Sequence, residues 1–384
     1  MRPLEHFKFG NTLAILALIP AGLFAQTLTR EGGRWIETIT GTAPAAARLR
    51  INAQGPVHLE GGGSGAISFT AKLAVQARRE EDARRILNRY AVRIASTNDV
   101  VVLTAPGGPI TTSLTVKAGR LSVANVITSD GPVEVNGVDG TLDISSDAGE
   151  VKCDRIAGDA RLATGGGQIL VGSVQGGLHA STAGGRIVVK TVHGDTVLET
   201  AGGDIEVTDA GASVRADTAG GTVRVGTAGG SVTATTGGGS ISVGKSGGIV
   251  IARNMAGPVQ VGAAAGVRCE SGTGGIRVSN VSGPMRVSTT MGSIVASLLG
   301  GARADSFLAT GNGDITVMIP SNVGVTIRAE SDLADTVRRI VSDFPGVAVR
   351  MMGTQVVAEG PVNGGGPLLR ISGTGGTIFI KRQQ

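Results

Sequence analysis

The chain has 384 residues, of which 63 are glycine and only 2% are aromatic, and its formal net charge is +5. A hydrophobic share of 41% is too high for a disordered chain, and glycine this frequent without a three-residue period is not collagen. The basic charge is scattered among acids and stacking aromatics are nearly absent, so no nucleic-acid partner is expected; many short strands joined by tight turns remain.

The first 25 residues have the pattern of an export signal. Arg2 and Lys8 precede an apolar run from Thr12 to Ala25, which Pro20 and Gly22 interrupt, and cleavage after Ala25 leaves Gln26 first. That run is short for a span of about 20 residues, and an uncleaved anchor is the alternative to cleavage. No cysteine lies beside the cleavage site to carry a lipid, and no second apolar span occurs further along. The expectation is a protein exported to the periplasm, the cell surface or the medium, without a stable membrane span once the signal is removed.

Residues 26–118 form an N-terminal region. Strands are expected within 34–76, around Leu49 and Ile51 and again from Ile67 to Val75. A helix is expected from Ala77 to Tyr90, with Ala83, Ile86, Leu87 and Tyr90 on one face. Its expected role is to cap the first coil of a stack of strands, because an open stack invites aggregation. Residues 99–139 lead into regular repeats.

Residues 119–320 carry those repeats. From Gly140 the chain can be written in lines of 18, each made of two nine-residue halves that open on glycine and then alternate. In the second halves the glycines recur at Gly149, Gly167, Gly185, Gly203, Gly221, Gly239 and Gly257. Two residues on come Val151, Ile169, Ile187, Ile205, Val223, Ile241 and Val259, with mostly polar residues at the intervening positions. Period-two alternation marks strands with one buried face. Strands so short bury that face only by stacking coil on coil, which pairs like strands in parallel and piles like residues into ladders. The fold expected is therefore all-β, a flattened parallel β-solenoid with two short strands per 18-residue coil and one N-terminal capping helix. The glycines are expected at sharp turns, often with positive φ. Thr164, Thr182, Thr200, Thr218 and Thr236 form one polar column, read as turn chemistry rather than as an ice-binding array. Cys153 and Cys269 fall about six coils apart, roughly 30 Å at ~4.8 Å per coil, and are expected to be buried, unpaired thiols.

From 321 to 384 the period is lost in irregular coils and a cap. Leu333 to Val341 reads equally as a short helix or irregular chain, and the final glycine-separated strands are expected to close the far end.

The serial GG-x-I-x-V units, the early helix and the ending SDFPGV…NGGGPLLRISGTGGTIFIK resemble the bacterial "putative adhesin" family, catalogued as domain of unknown function 4097. The resemblance spans roughly residues 40–380 and implies a right-handed β-solenoid of the cell envelope. It supplies no catalytic residues.

Two functions are compared with the residues. The first is a non-enzymatic, adhesin-like structural or binding module of the envelope, whose partner is an envelope protein or a polysaccharide. The second is a carbohydrate-active β-helix, a polysaccharide lyase or hydrolase, which needs carboxylates held close together. Only Glu199 and Asp217 fit that need, at equal register on adjacent coils beside Arg215. A solvated turn pair is the simpler account of them, and no enzyme activity is expected. Arg186 beside Asp204 and Glu206 beside Arg224 read as surface charge ladders. His58, His179 and His193 lack the cysteines or carboxylates of a metal site, and no phosphate loop or calcium nonapeptide occurs, so neither cofactor nor metal is expected.

Overall fold

The computed structural model describes residues 17–18, 25–63, 65–97, 99–299, 304–332 and 339–383. The export-signal pattern of residues 1–25 lies outside this set apart from Ala25 and the pair Ala17–Leu18, which runs antiparallel to Ala95 and Ser96. Of the undecided segment Leu333 to Val341, residues 333–338 also lie outside it, while Ile340–Ser342 is a strand.

The chain forms a β-solenoid of about 11 turns, nearly all β, with one helix among the described residues, near the N-terminus. Each regular coil gives one strand to each of two sheets. The first sheet takes the strands such as Thr196–Thr200 and Val214–Thr218, the second those such as Ile187–Val192 and Ile205–Ala210. Pairing in the regular region is parallel and in register, with one register shift between Val278 and Val281: Ile187 lies against Ile205 and Ile205 against Val223. These β-branched side chains are fully buried. The first sheet meets them with a leaner row, Ala180, Leu198, Ala216, Ala234 and Ala252, also buried. Small residues facing β-branched ones keep the interior thin and close-packed, which is why the regular coils do without buried aromatics, found among the described residues only toward the ends as Phe69 and Phe344.

The second-sheet strands also bury a third row, Val138, Ile156, Val174, Val192 and Ala210. It breaks the period of two, because the chain bends at the corner and skips one position before turning inward again. Its signal in the sequence is the same 18-residue spacing.

Three polar devices join one coil to the next. In the threonine column each buried hydroxyl donates to a glycine carbonyl of the coil below and accepts an N–H from its own coil. Thr200 Oγ1 donates to Gly185 O at 3.0 Å and accepts from Gly203 N at 3.2 Å. Thr164, Thr182, Thr218 and Thr236 repeat the pattern, and Asn254 and Thr289 continue the column. The column is thus internal turn chemistry and presents no threonine array to solvent. Aspartates at the corners accept backbone N–H groups of the following coil, as Asp204 does from Thr222 at 2.7 Å and Asp195 from Ser213 at 3.2 Å.

Glycine is the third device, and here the physical reason differs from the expected one. Gly167, Gly185, Gly203 and Gly221 do not have positive φ. A Cβ at each would instead collide with the carbonyl oxygen of the glycine one coil below. Only at the two ends of this column, at Gly131 and again at Gly257, Gly292, Gly313 and Gly376, is φ positive.

Both ends of the stack are interleaved. The coil made by Arg48–Ala53 and Val57–Glu60 sits between the coil of 100–117 and that of 123–138, although it precedes both in sequence. At the other end Leu368–Gly375 and Ile378–Arg382 insert between the strands of 306–319 and those of 325–342. The final strands therefore do not close the far end. Val325–Asp332 lies beyond them, and the antiparallel strands Gln355–Val362 and Ala348–Met352 extend the first sheet past it.

At the near end the second sheet turns antiparallel through Ile67–Val75, Arg34–Ala43 and Ala25–Glu31. The helix, Glu80–Leu87, is shorter than its 77–90 periodicity and packs on the first two of these strands through Ala83 and Leu87. Its first turn is acidic and Glu80 pairs with Arg84 at 2.8 Å, both suited to a short helix.

Candidate functional site

Glu199 and Asp217 are direct register partners on neighbouring strands of the first sheet, on its outward face. Both alternate with buried residues, Leu198 and Thr200 in one strand and Ala216 and Thr218 in the other, so the pleat itself aims them at solvent. They line a groove of ≈ 540 Å³ whose other walls include Ser181, Ala183, Ala201 and Ala219. The groove is a product of residue size: small side chains at the turn leave a hollow beside the taller acids.

Chemically the pair is half committed. Arg215 Nε lies 2.8 Å from Asp217 Oδ2, so that carboxylate already has a cation. Register partners lie about 4.8 Å apart along the stack. That is close to the carboxylate spacing of a retaining glycosidase, about 5 Å.

Elsewhere the outward faces carry ladders of mixed charge. Glu134 lies between His58 at 3.2 Å and Lys152 at 2.7 Å on adjacent coils. The hydrogen bond from the Lys152 ammonium, with the charge of His58 in support, holds the Glu134 carboxyl below its ordinary range. Arg186 reaches Glu206 at 3.7 Å and not the expected Asp204, whose carboxylate is occupied by the Thr222 N–H. Glu206 and Arg224 are register partners, as their spacing predicts.

Cys153 and Cys269 are free and buried, and they lie in opposite sheets. Burial pushes each thiol up to about 12, with the neighbouring Asp154 or Glu270 adding to the effect. Among the described residues there is no group of three or more side chains that could hold a metal ion. Among them, too, no helix is long and apolar enough to cross a membrane.

Sequence reasoning missed a contrast that only the assembled stack displays. One part of the first sheet's outward face is rich in arginine, where Arg268, Arg286, Phe307 and Arg370 succeed one another coil by coil. The 63-residue jump from Phe307 to Arg370 hides this row from any periodic reading.

No protein-family model matches the chain, and no curated protein matches it either. Its resemblance to the domain-of-unknown-function family therefore rests on the quoted motifs. Among solved structures it is similar to a "putative adhesin" of Bacteroides fragilis, at 13% identity over 58% of this chain and 96% of that one, with a TM-score of 0.35. It is similar also to a "putative cell adhesion protein" of Clostridium sporogenes, at 10% identity over 91% and 100%, with a TM-score of 0.18. A "putative adhesin" of Parabacteroides distasonis gives 10% identity over 90% and 97%, with a TM-score of 0.27. At these TM-scores the likenesses carry no argument.

Proposed function

We propose that this protein is an exported, non-catalytic binding module of the cell envelope, a rigid rod whose outward faces engage a polymer or an envelope partner. The observation that carries the reading is how the polar residues are employed. The recurrent threonines and glycines, and corner aspartates such as Asp159, Asp195 and Asp204, are engaged in joining coil to coil. What faces solvent is a pair of long, pleated surfaces with ladders of charge. Such a surface offers many weak, equally spaced contacts, which suits adhesion to a repeating partner. Export is supported by the pattern of the first 25 residues, and a mature chain starting at Gln26 is the corresponding product.

The register pair Glu199–Asp217 and its groove favour one second reading, a glycan-cleaving β-helix. One experiment separates the two. The purified protein is incubated with a panel of neutral and acidic polysaccharides, and both retention on the polymer and release of new chain ends are measured. Retention without release is expected, unchanged in Glu199→Gln and Asp217→Asn. Release of product that disappears in those variants overturns the non-catalytic reading.

A further inference from the structure

We propose that the outward face of the first sheet in the C-terminal half binds an acidic polysaccharide, with Arg286, Phe307 and Arg370 as the contact row. This rests on the binding-module reading and narrows it to one face and one chemistry.

Charge is divided unevenly along the rod. Residues 130–217 hold fourteen acids and six lysines or arginines, whereas 218–304 hold seven lysines or arginines and a single acid, Glu270. Many acids of the first stretch are already engaged with backbone N–H groups, as at Asp154, Asp159, Asp195 and Asp204. In the second stretch Arg253 and Arg268 share Glu270, at 3.5 and 2.8 Å. Arg286 has no hydrogen bond or ion pair among the described residues. Its guanidinium is therefore a cation in a locally positive field, with its full fork of donors open to a carboxylate.

The next coil places Phe307 beside Arg286, and the coil after that places Arg370 beside Phe307. Phe307 is 37% exposed in a chain with seven phenylalanines, one tryptophan and one tyrosine. Its ring is apolar area that the core does not use. The adjacent outward column is low, with Ser288, Ala309 and Ser372, so the row borders a trough. A groove of ≈ 270 Å³ lies at its start, between Arg268, Arg286 and Phe307, with Glu270, the partner of Arg253 and Arg268, on one wall.

Spacing selects the ligand. Coils repeat at about 4.8 Å, so Arg286 and Arg370 stand roughly 10 Å apart with an aromatic ring between them. A coil step is comparable with the length of one pyranose ring in an extended chain. A uronate carboxylate can then meet the open Arg286 guanidinium while the next sugar stacks its apolar face on Phe307, and a carboxylate two sugars on reaches Arg370, whose guanidinium is shared with Glu330 at 3.6 Å. A nucleic acid would call for a series of stacking rings, and the row has one.

The test measures binding of the purified protein to oligogalacturonate, with the fully methyl-esterified oligomer as a neutral copy of the same backbone and polyphosphate as a non-sugar polyanion. The acidic oligomer is expected to bind and the other two to bind at least about tenfold more weakly. Arg286→Ala and Phe307→Ala, both at exposed positions, are each expected to weaken binding about tenfold, while Arg161→Ala on the acidic half leaves it unchanged. Equal binding of polyphosphate or of the ester overturns the proposal. So does wild-type affinity in both row variants, which would put the glycan on another face and leave the binding-module reading standing. Binding of none of the three also overturns it, and that broader reading is then decided by the retention and cleavage assay.

Discussion

Two glycines adjacent in sequence can do different work. Gly203 faces the carbonyl of Gly185, whereas a Cβ at Gly202 meets nothing within 4 Å. Gly203→Ala is expected to destabilise by about 1–3 kcal/mol through overpacking against backbone. Gly202→Ala, by restricting only the unfolded chain, is expected to be neutral or stabilising by up to about 1 kcal/mol. Urea denaturation of the two variants checks this, and equal effects would refute the close-approach account. The buried hydroxyls allow a parallel comparison. Thr200→Val leaves the Gly185 carbonyl and the Gly203 N–H unpaired and is expected to cost about 1–3 kcal/mol, while Thr200→Ser keeps most of the bond. Hydrogen exchange at the Gly203 amide reads the same loss directly. The two thiols supply a pH dependence. Each has a folded pKa of about 12 against an ordinary 9.0, so the folded state holds its proton more tightly than the unfolded chain. Stability from this source is full below pH 9 and falls as pH rises from 9 toward 12, by at most ~1.4 kcal/mol per pH unit for each thiol. Replacing both cysteines by alanine is expected to flatten that part of the stability curve, and the native thiols are expected to resist alkylation near neutral pH.

At the level of elements, a strand of this solenoid is stable only through its neighbours. Ile205 stacks between Ile187 and Val223 and is fully buried, so Ile205→Ala is expected to cost about 2–5 kcal/mol. The cost should spread to adjacent coils, visible as faster hydrogen exchange in Ile187–Val192 and Val223–Ala228 rather than in one strand alone. The helix shows the contrast between surface and core in a single turn. Breaking the exposed Glu80–Arg84 pair removes only a few tenths of a kcal/mol, whereas Leu87 is buried against the antiparallel strands and its loss opens a cavity.

For the whole molecule the repeat is modular in the middle and interlocked at the ends. Gly203 and Gly221 occupy the same place on adjacent coils, so deleting the 18 residues 204–221 rejoins equivalent positions and is expected to leave a shorter, folded solenoid. Removing 367–384 takes out fewer than twenty residues as well. It withdraws a coil from inside the stack, between 306–319 and 325–342, and is expected to abolish cooperative unfolding of the C-terminal end. Thermal melts and limited proteolysis of the two deletions distinguish these outcomes. Ends built this way bury the junction of terminal segments in sheet rather than leaving a loose flap, and they end the parallel stack in antiparallel strands.

The sequence by itself determined the regular body. A period of 18 with inward aliphatics at fixed places, as at Ile187, Ile205 and Val223, admits one economical burial, and its ladders result because each coil meets only its neighbours. The same arithmetic brought Glu199 against Asp217, since equal register on successive coils is a contact by construction. Tertiary structure alone decided which coil lies next to which at the ends. There the partners are 63 residues apart, as Phe307 and Arg370 are, or stand in reversed order, as 48–60 and 100–117 do. Pairing over such distances depends on which exposed sheet edge is free when the segment arrives, a property of the assembled stack and not of any local pattern. For the same reason the arginine row became visible only in three dimensions, and so did the true work of the glycines, since a clash with a carbonyl one coil away leaves no mark on the residue's own backbone angles.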